Sequence, residues 1–177
     1  MTFEILGHDP QYQGHAFDVV KVQVRLPDGR VRPYDLVQHR DSISVVPVDA
    51  QGQILFVAQY RIGAGQELLE LPAGVMEDAE DARVCAEREL REETGYAARE
   101  WIELGHFYLA PGYCTERMVV FLARNLYPSP LRPDADEFLR LRRLGLEEAY
   151  AMAQRGEIHD AKTLAALLLA QPHLRQG

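Results

Sequence analysis

The chain has 177 residues, 47% apolar and 26% charged, which suits one globular domain, or a core with a small appendage, long enough to bury a proper core. A formal net charge of −8 excludes a nucleic-acid-binding surface, which needs clustered Lys and Arg. Two cysteines without metal-ligand spacing, a start (MTFEILGHDP) without a basic–apolar leader pattern and the lack of any membrane-length apolar run predict a cytoplasmic protein with no membrane partner.

In chain order, residues 17–26 and 30–38 are predicted strands, β-branched and apolar, joined by Pro27-Asp28-Gly29 as a hairpin turn. Residues 42–48 and 53–60 form a second predicted strand pair across residues 49–52. A helix is predicted over 79–94, strands over 101–109 and 117–123, and a short strand over 138–143 after the loop PSPLRPDAD. Helices are predicted over 147–155 and 161–170, with Asp160 as N-cap of the last. Helices before, between and after strands imply an α/β/α sandwich around a mixed sheet. Residues 1–40 read as a small N-terminal antiparallel β region, and 41–177 as the main domain.

The predicted central helix carries acids where a core face belongs. At 100° per residue, Ala79, Ala82, Ala86 and Leu90 share one stripe, and Glu89 and Glu93 fall on it one turn apart, with Glu92 beside it. At ~4 Å and an effective dielectric of ~20 such a pair repels by about 4 kcal/mol. A solvated face accounts for Arg83, Val84, Glu87 and Arg91 on the far side, and Arg88 is spaced to pair with Glu92. It does not account for Glu89 and Glu93 on the alanine stripe. A hard divalent cation bound through oxygens does.

Gly74, Glu80 and the run Arg88-Glu89-Leu90-Arg91-Glu92-Glu93-Thr94-Gly95-Tyr96 resemble, at their spacing, the Nudix box, the loop–helix–loop signature of hydrolases of a nucleoside diphosphate linked to another moiety. Tyr96 stands where an aliphatic residue is usual; every charged and glycine position matches. The resemblance extends over residues 39–169. Pro111 lies sixteen residues after Gly95, and Gln59-Tyr60-Arg61 closes a strand before Glu70-Leu71-Pro72-Ala73-Gly74; both resemble the ADP-ribose pyrophosphatase subgroup. Ala110 replaces the serine usual before Pro111-Gly112. Read alone, Pro111 is a loop proline and Arg61 a surface arginine.

The resemblance implies that Glu89 and Glu93 hold two or three Mg²⁺ or Mn²⁺ ions, with the Ala73 carbonyl as a backbone ligand and Glu92 assisting. Glu80 and Arg88 pair to brace the box, which Gly74 and Gly95 frame. Arg61, at its strand end, and Glu70 belong to substrate binding, as do Pro111 and Gly112; Glu116 contacts the terminal ribose. His15, after Gly14, is the candidate for the adenine wall. The family often has an arginine near Tyr34, where this chain has an aromatic ring. Asp134, Asp136 and Glu137 crowd one loop; a solvated loop accounts for them, but the family keeps a catalytic glutamate here, and the following residues put Glu137 in register as general base.

The activity implied is hydrolysis of the pyrophosphate of ADP-ribose to AMP and ribose 5-phosphate. A GDP-mannose or other nucleotide-sugar pyrophosphatase shares the proline signature, and a non-catalytic ADP-ribose sensor is the reading from another class. In the family, such N-terminal strands join a two-fold homodimer; the alternative is that they pack on their own core.

Overall fold

Two units make up the chain in the structure, a computed structural model that describes residues 2–132 and 138–174: Met1–Asp41 with Tyr108–Arg117, and Ser42–Phe107 with Met118–Gly177. In the first, β1 (Glu4–Gln13), β2 (Asp18–Arg25) and β3 (Val31–Gln38) form an antiparallel sheet in that order. The turn between β2 and β3 closes through the Gly29 N–H on the Leu26 carbonyl at 2.9 Å, with Gly29 at φ +85°, a conformation that favours glycine. Strand β1 is not among the predicted strands. Its register shifts between Ile5 and Gly7 and again between Pro10 and Tyr12, and every residue in it is exposed, so no alternation marks it. Pro10 is tolerated because β1 lies at the sheet edge. The segment 110–115 belongs to this unit: the Val37 N–H donates to the Tyr113 carbonyl at 2.8 Å, and the Thr115 N–H to the Val37 carbonyl at 3.0 Å.

The second unit contains β4 (Ser42–Pro47), β5 (Gln53–Arg61), β6 (Gln66–Glu70), β7 (Ala73–Val75), helix α1 (Ala82–Thr94), β8 (Tyr96–Tyr108), β9 (Arg117–Pro128), β10 (Arg140–Gly145), α2 (Leu146–Gln154) and α3 (Ala161–Leu174), the terminal residues Tyr108 and Arg117 being counted with the first. One sheet is antiparallel, β10-β5-β6; the other is mixed, β7-β4-β9-β8, with β4 parallel to β9 and antiparallel to β7. The predicted pairing of 42–48 with 53–60 is therefore wrong: those strands go to different sheets, and only the bridge Val48–Ile54 joins them. Every residue of β4 is buried. A strand covered on both faces is stable at the middle of a sheet, between β7 and β9, rather than in a hairpin.

Alternation along β4 and β9 sends side chains to two cores. Ile43, Val45, Val119, Phe121 and Ala123 meet Cys85, Ala86 and Leu90 of α1, while Val46, Val120 and Leu122 join a core with Tyr150 of α2 and Ala166, Leu167 and Ala170 of α3. A mixed sheet between α1 and the α2–α3 pair is the α/β/α sandwich. Helix α1 starts three residues later than predicted: Ala79 has φ +60°, and the Asp81 side chain caps the Arg83 and Val84 N–H groups at 2.9 and 3.3 Å. Strand β8 begins at Tyr96, five residues before the predicted strand, and α3 runs to Leu174, past the predicted end.

Candidate active site

Gly74 in β7 and Glu89 in α1 interlock. A Cβ on Gly74 would lie 1.9 Å from the Glu89 carboxyl carbon, so only glycine lets that side chain lie against the strand. One turn on, Glu93 accepts the Ala73 N–H at 3.3 Å. Both glutamates are over nine-tenths buried, at 8% and 9% exposure. Helix α1 ends at Gly95, whose φ of +78° lets its N–H cap the Arg91 carbonyl at 3.1 Å.

Arg88 is the hub of this corner. Its guanidinium donates twice to Glu80, both at 3.1 Å, to Glu89 at 2.6 Å and to Glu92 at 3.0 Å, and reaches the Val75 carbonyl at 3.4 Å. The hydrogen bonds from Arg88 hold the Glu80 carboxyl at about 2, well below its usual range, and Glu80 in turn raises Arg88. Burial pushes the Cys85 thiol upward, which leaves it protonated and inert.

Three carboxylates, Glu80, Glu89 and Glu92, thus gather about one guanidinium, with Glu93 one turn beyond Glu89. The donors are oxygens only, the choice of a hard cation such as Mg²⁺ or Mn²⁺ rather than a soft one. Among the described residues no three acidic, histidine or cysteine side chains already converge as a ligand set. Glu89 and Glu92 are turned to Arg88 instead. The cradle left by the absent Cβ at Gly74 and the burial of two like charges one turn apart fit a divalent cation at Glu89 and Glu93.

A second charged group lies in the same unit. Glu70 at the end of β6, 1% exposed, takes Arg61 of β5 in a two-pronged pair at 2.8 and 2.7 Å and also accepts from Lys162 of α3. Lys162 reaches Asp160 at 3.0 Å, and Asp160 caps the Thr163 N–H at 3.0 Å. Burial alone would raise the Glu70 carboxyl, but Arg61 and Lys162 outweigh it and lower it. Glu70 raises Arg61, helped at longer range by Glu93. Sequence reasoning placed Arg61 and Glu70 near substrate but missed Lys162. The available signal was its place in the first turn of an otherwise apolar helix, where the dipole disfavours a cation.

Pro111, Gly112, Glu116 and His15 belong to the first unit. Pro111 and Gly112 sit in a turn closed by the Tyr113 and Cys114 N–H groups on the Ala110 carbonyl, at 3.0 and 2.9 Å. Glu116 lies 3.9 Å from His39 Nδ1, and Thr115 bridges the His39 backbone in both directions at 2.9 Å. His15 is exposed between β1 and β2. Glu137, with Asp134 and Asp136, lies outside the described residues.

The NUDIX domain model matches residues 38–167, and the chain belongs to the Nudix family. It is 34% identical over 162 residues to an ADP-ribose pyrophosphatase of Bacillus subtilis (strain 168), covering 90% of this chain and 88% of that protein. It is 35% identical to an ADP-ribose pyrophosphatase of Mycobacterium tuberculosis (strain ATCC 25618 / H37Rv) over 170 residues, covering 94% and 82%. A crystal structure of an ADP compounds hydrolase superposes with a TM-score of 0.89 at 25% identity, over 99% of this chain and 95% of the other.

Proposed function

We propose that the protein hydrolyses the pyrophosphate of ADP-ribose to AMP and ribose 5-phosphate, using Mg²⁺ or Mn²⁺, two to three ions, held by Glu89 and Glu93 with Glu92 and the Ala73 carbonyl. The observation that carries this is Glu89, buried against Gly74 where any Cβ would displace its carboxylate, and one turn from buried Glu93, inside a Nudix domain. Named relatives at 34–35% identity supply the substrate. When bound, the cation neutralises the phosphate oxygens and acidifies the attacking water. Arg88 holds Glu89 and Glu92 in place by hydrogen bonds, Glu80 fixes Arg88, and Arg61 offers its second terminal nitrogen to a phosphate. Glu137 is proposed as the general base on its position in sequence, and Pro111, Gly112, Glu116 and His15 as substrate contacts on theirs. Two unpaired thiols suit a reducing cytoplasm. Ile5, Tyr12, Val31 and Tyr34, exposed on the N-terminal sheet, support a homodimer through it; sedimentation of a monomer at micromolar concentration overturns that assembly.

The deciding measurement is AMP release from ADP-ribose with Mg²⁺, compared as kcat/KM with GDP-mannose. ADP-ribose is expected to be the better substrate. A preference for GDP-mannose of about tenfold (~1.4 kcal/mol) makes the protein a nucleotide-sugar pyrophosphatase of that kind, and binding without turnover makes it a sensor. Glu137→Gln is expected to lower kcat by about 10²–10⁴-fold, and Asp134→Asn or Asp136→Asn by less than about tenfold. If either aspartate substitution is the more damaging, the base is that neighbour.

A further inference from the structure

Arg61, Glu70, Lys162 and Asp160 form a chain of alternating charge that runs from a partly exposed guanidinium into the interior. The Arg61 side chain is 40% exposed, those of Glu70 and Lys162 1% and 11%. Burying one carboxylate beneath one arginine requires a single counter-charge. Here Glu70 receives two, and the second comes from a lysine in a helical first turn, an electrostatically poor place that needs Asp160 beside it. Thr163, fully buried next to Lys162, accepts the Leu71 N–H at 2.8 Å and donates to Asp160 at 2.6 Å, so α3 is tied to the strand end that carries Glu70.

If Arg61 alone balanced Glu70, its charge would be spent on an internal partner. With Lys162 sharing the carboxylate, Arg61 is not the sole counter-charge to Glu70. Glu70 stays fixed from two sides, and Arg61 spends only its Nε and one terminal nitrogen on it. We propose that Lys162 is a positioning residue for Arg61: by sharing Glu70 it fixes the guanidinium and leaves its second terminal nitrogen available to the diphosphate of the substrate. This rests on the reading that Arg61 contacts substrate.

The test is a double-mutant cycle on steady-state kinetics with ADP-ribose and Mg²⁺, alongside thermal melts. Arg61→Ala is expected to raise KM by about tenfold or more, reporting loss of a binding contact. Lys162→Met is expected to raise KM by about tenfold with kcat changed less than about threefold. Lys162→Arg, which keeps the charge, is expected to restore KM to within about threefold. In the Arg61→Ala background, Lys162→Met should leave KM unmoved while still lowering Tm. A merely structural lysine would lower Tm and the active fraction with KM constant, and that result overturns the proposal, as does a multiplicative effect in the Arg61→Ala background. If Arg61→Ala leaves KM unchanged, the substrate-contact reading of Arg61 fails first, which separates the two failures. Should Lys162→Met not fold, Lys162→Gln, which removes the charge but keeps a hydrogen-bond donor to Glu70, takes its place; an unchanged KM in that variant is equally fatal.

Discussion

Glu70 and Glu93 are both buried acids of the second unit, yet their surroundings treat them oppositely. Glu70 is bracketed by Arg61 and Lys162, and Lys162 by Asp160, so charge alternates along the group. Around α1, Glu80, Glu89 and Glu92 converge on one guanidinium, that of Arg88, and Glu93 lies one turn from Glu89 with the Ala73 N–H on its carboxylate and Arg61 at longer range. A group balanced internally contributes to stability whether or not ligand is present. An acidic surplus costs stability in the free protein and is relieved by a cation. The same side chain is therefore held by two cations in one place and shares a single guanidinium with two other acids in the other.

The largest expected effect tests the acidic side. Glu93→Gln or Glu89→Gln should lower kcat/KM by about 10²–10³-fold, the scale of losing one preorganised electrostatic group. Either change should also remove the rise in Tm that Mg²⁺ or Mn²⁺ produces by linkage. Without metal, calorimetry should find Glu93→Gln at least as stable as the parent, because one of two like charges a turn apart is removed. An undiminished metal response in both variants ends the metal-site reading.

The balanced group should behave in reverse. Glu70→Gln strips Arg61 and Lys162 of their shared acid and is expected to cost about 3 kcal/mol of stability with or without metal, measured by urea unfolding. A Glu70→Gln protein as stable as the parent would erase the contrast between the regions.

Gly74→Ala sharpens the contrast further. The new methyl meets the movable end of Glu89 rather than backbone, so the carboxylate swings away. A stability loss of about 1–3 kcal/mol is expected, together with a weakened metal-induced shift in Tm. A parent-like metal response would show that Glu89 does not need its place against β7.

The smallest effect is on acid stability. The Glu80 carboxyl lies at about 2 against an ordinary 4.5, so its contribution is complete above pH 4.5 and drains away as pH falls towards 2. Glu80→Gln should lower Tm at neutral pH and flatten its decline over that window. If parent and variant lose Tm in parallel between pH 4.5 and 2, Arg88 is not what holds Glu80 ionised.

Much of this was written locally. The glycines, the alanine stripe and the acids of α1 are a short-range pattern, because helical periodicity fixes which side chains share a face, and the stripe was readable although the start was placed at Ala79 instead of Asp81's cap. The hairpin of β2 and β3 was equally local, its turn set by Pro27 to Gly29. Strand β1 was not, since Gly7, Pro10 and two register shifts leave no alternation to detect. Partner choice for β4 was also invisible. A buried strand accepts any neighbour that completes its hydrogen bonds, and burial against α1 on one face and α3 on the other decided for β7 and β9 over β5. The sequence by itself determined the helix, its acidic face and the chemistry such a face requires. Only the tertiary structure decided that Lys162, 92 residues beyond Glu70, closes the charge balance there, because counter-charges over such separations meet only when α3 docks and excludes the water that would otherwise screen them.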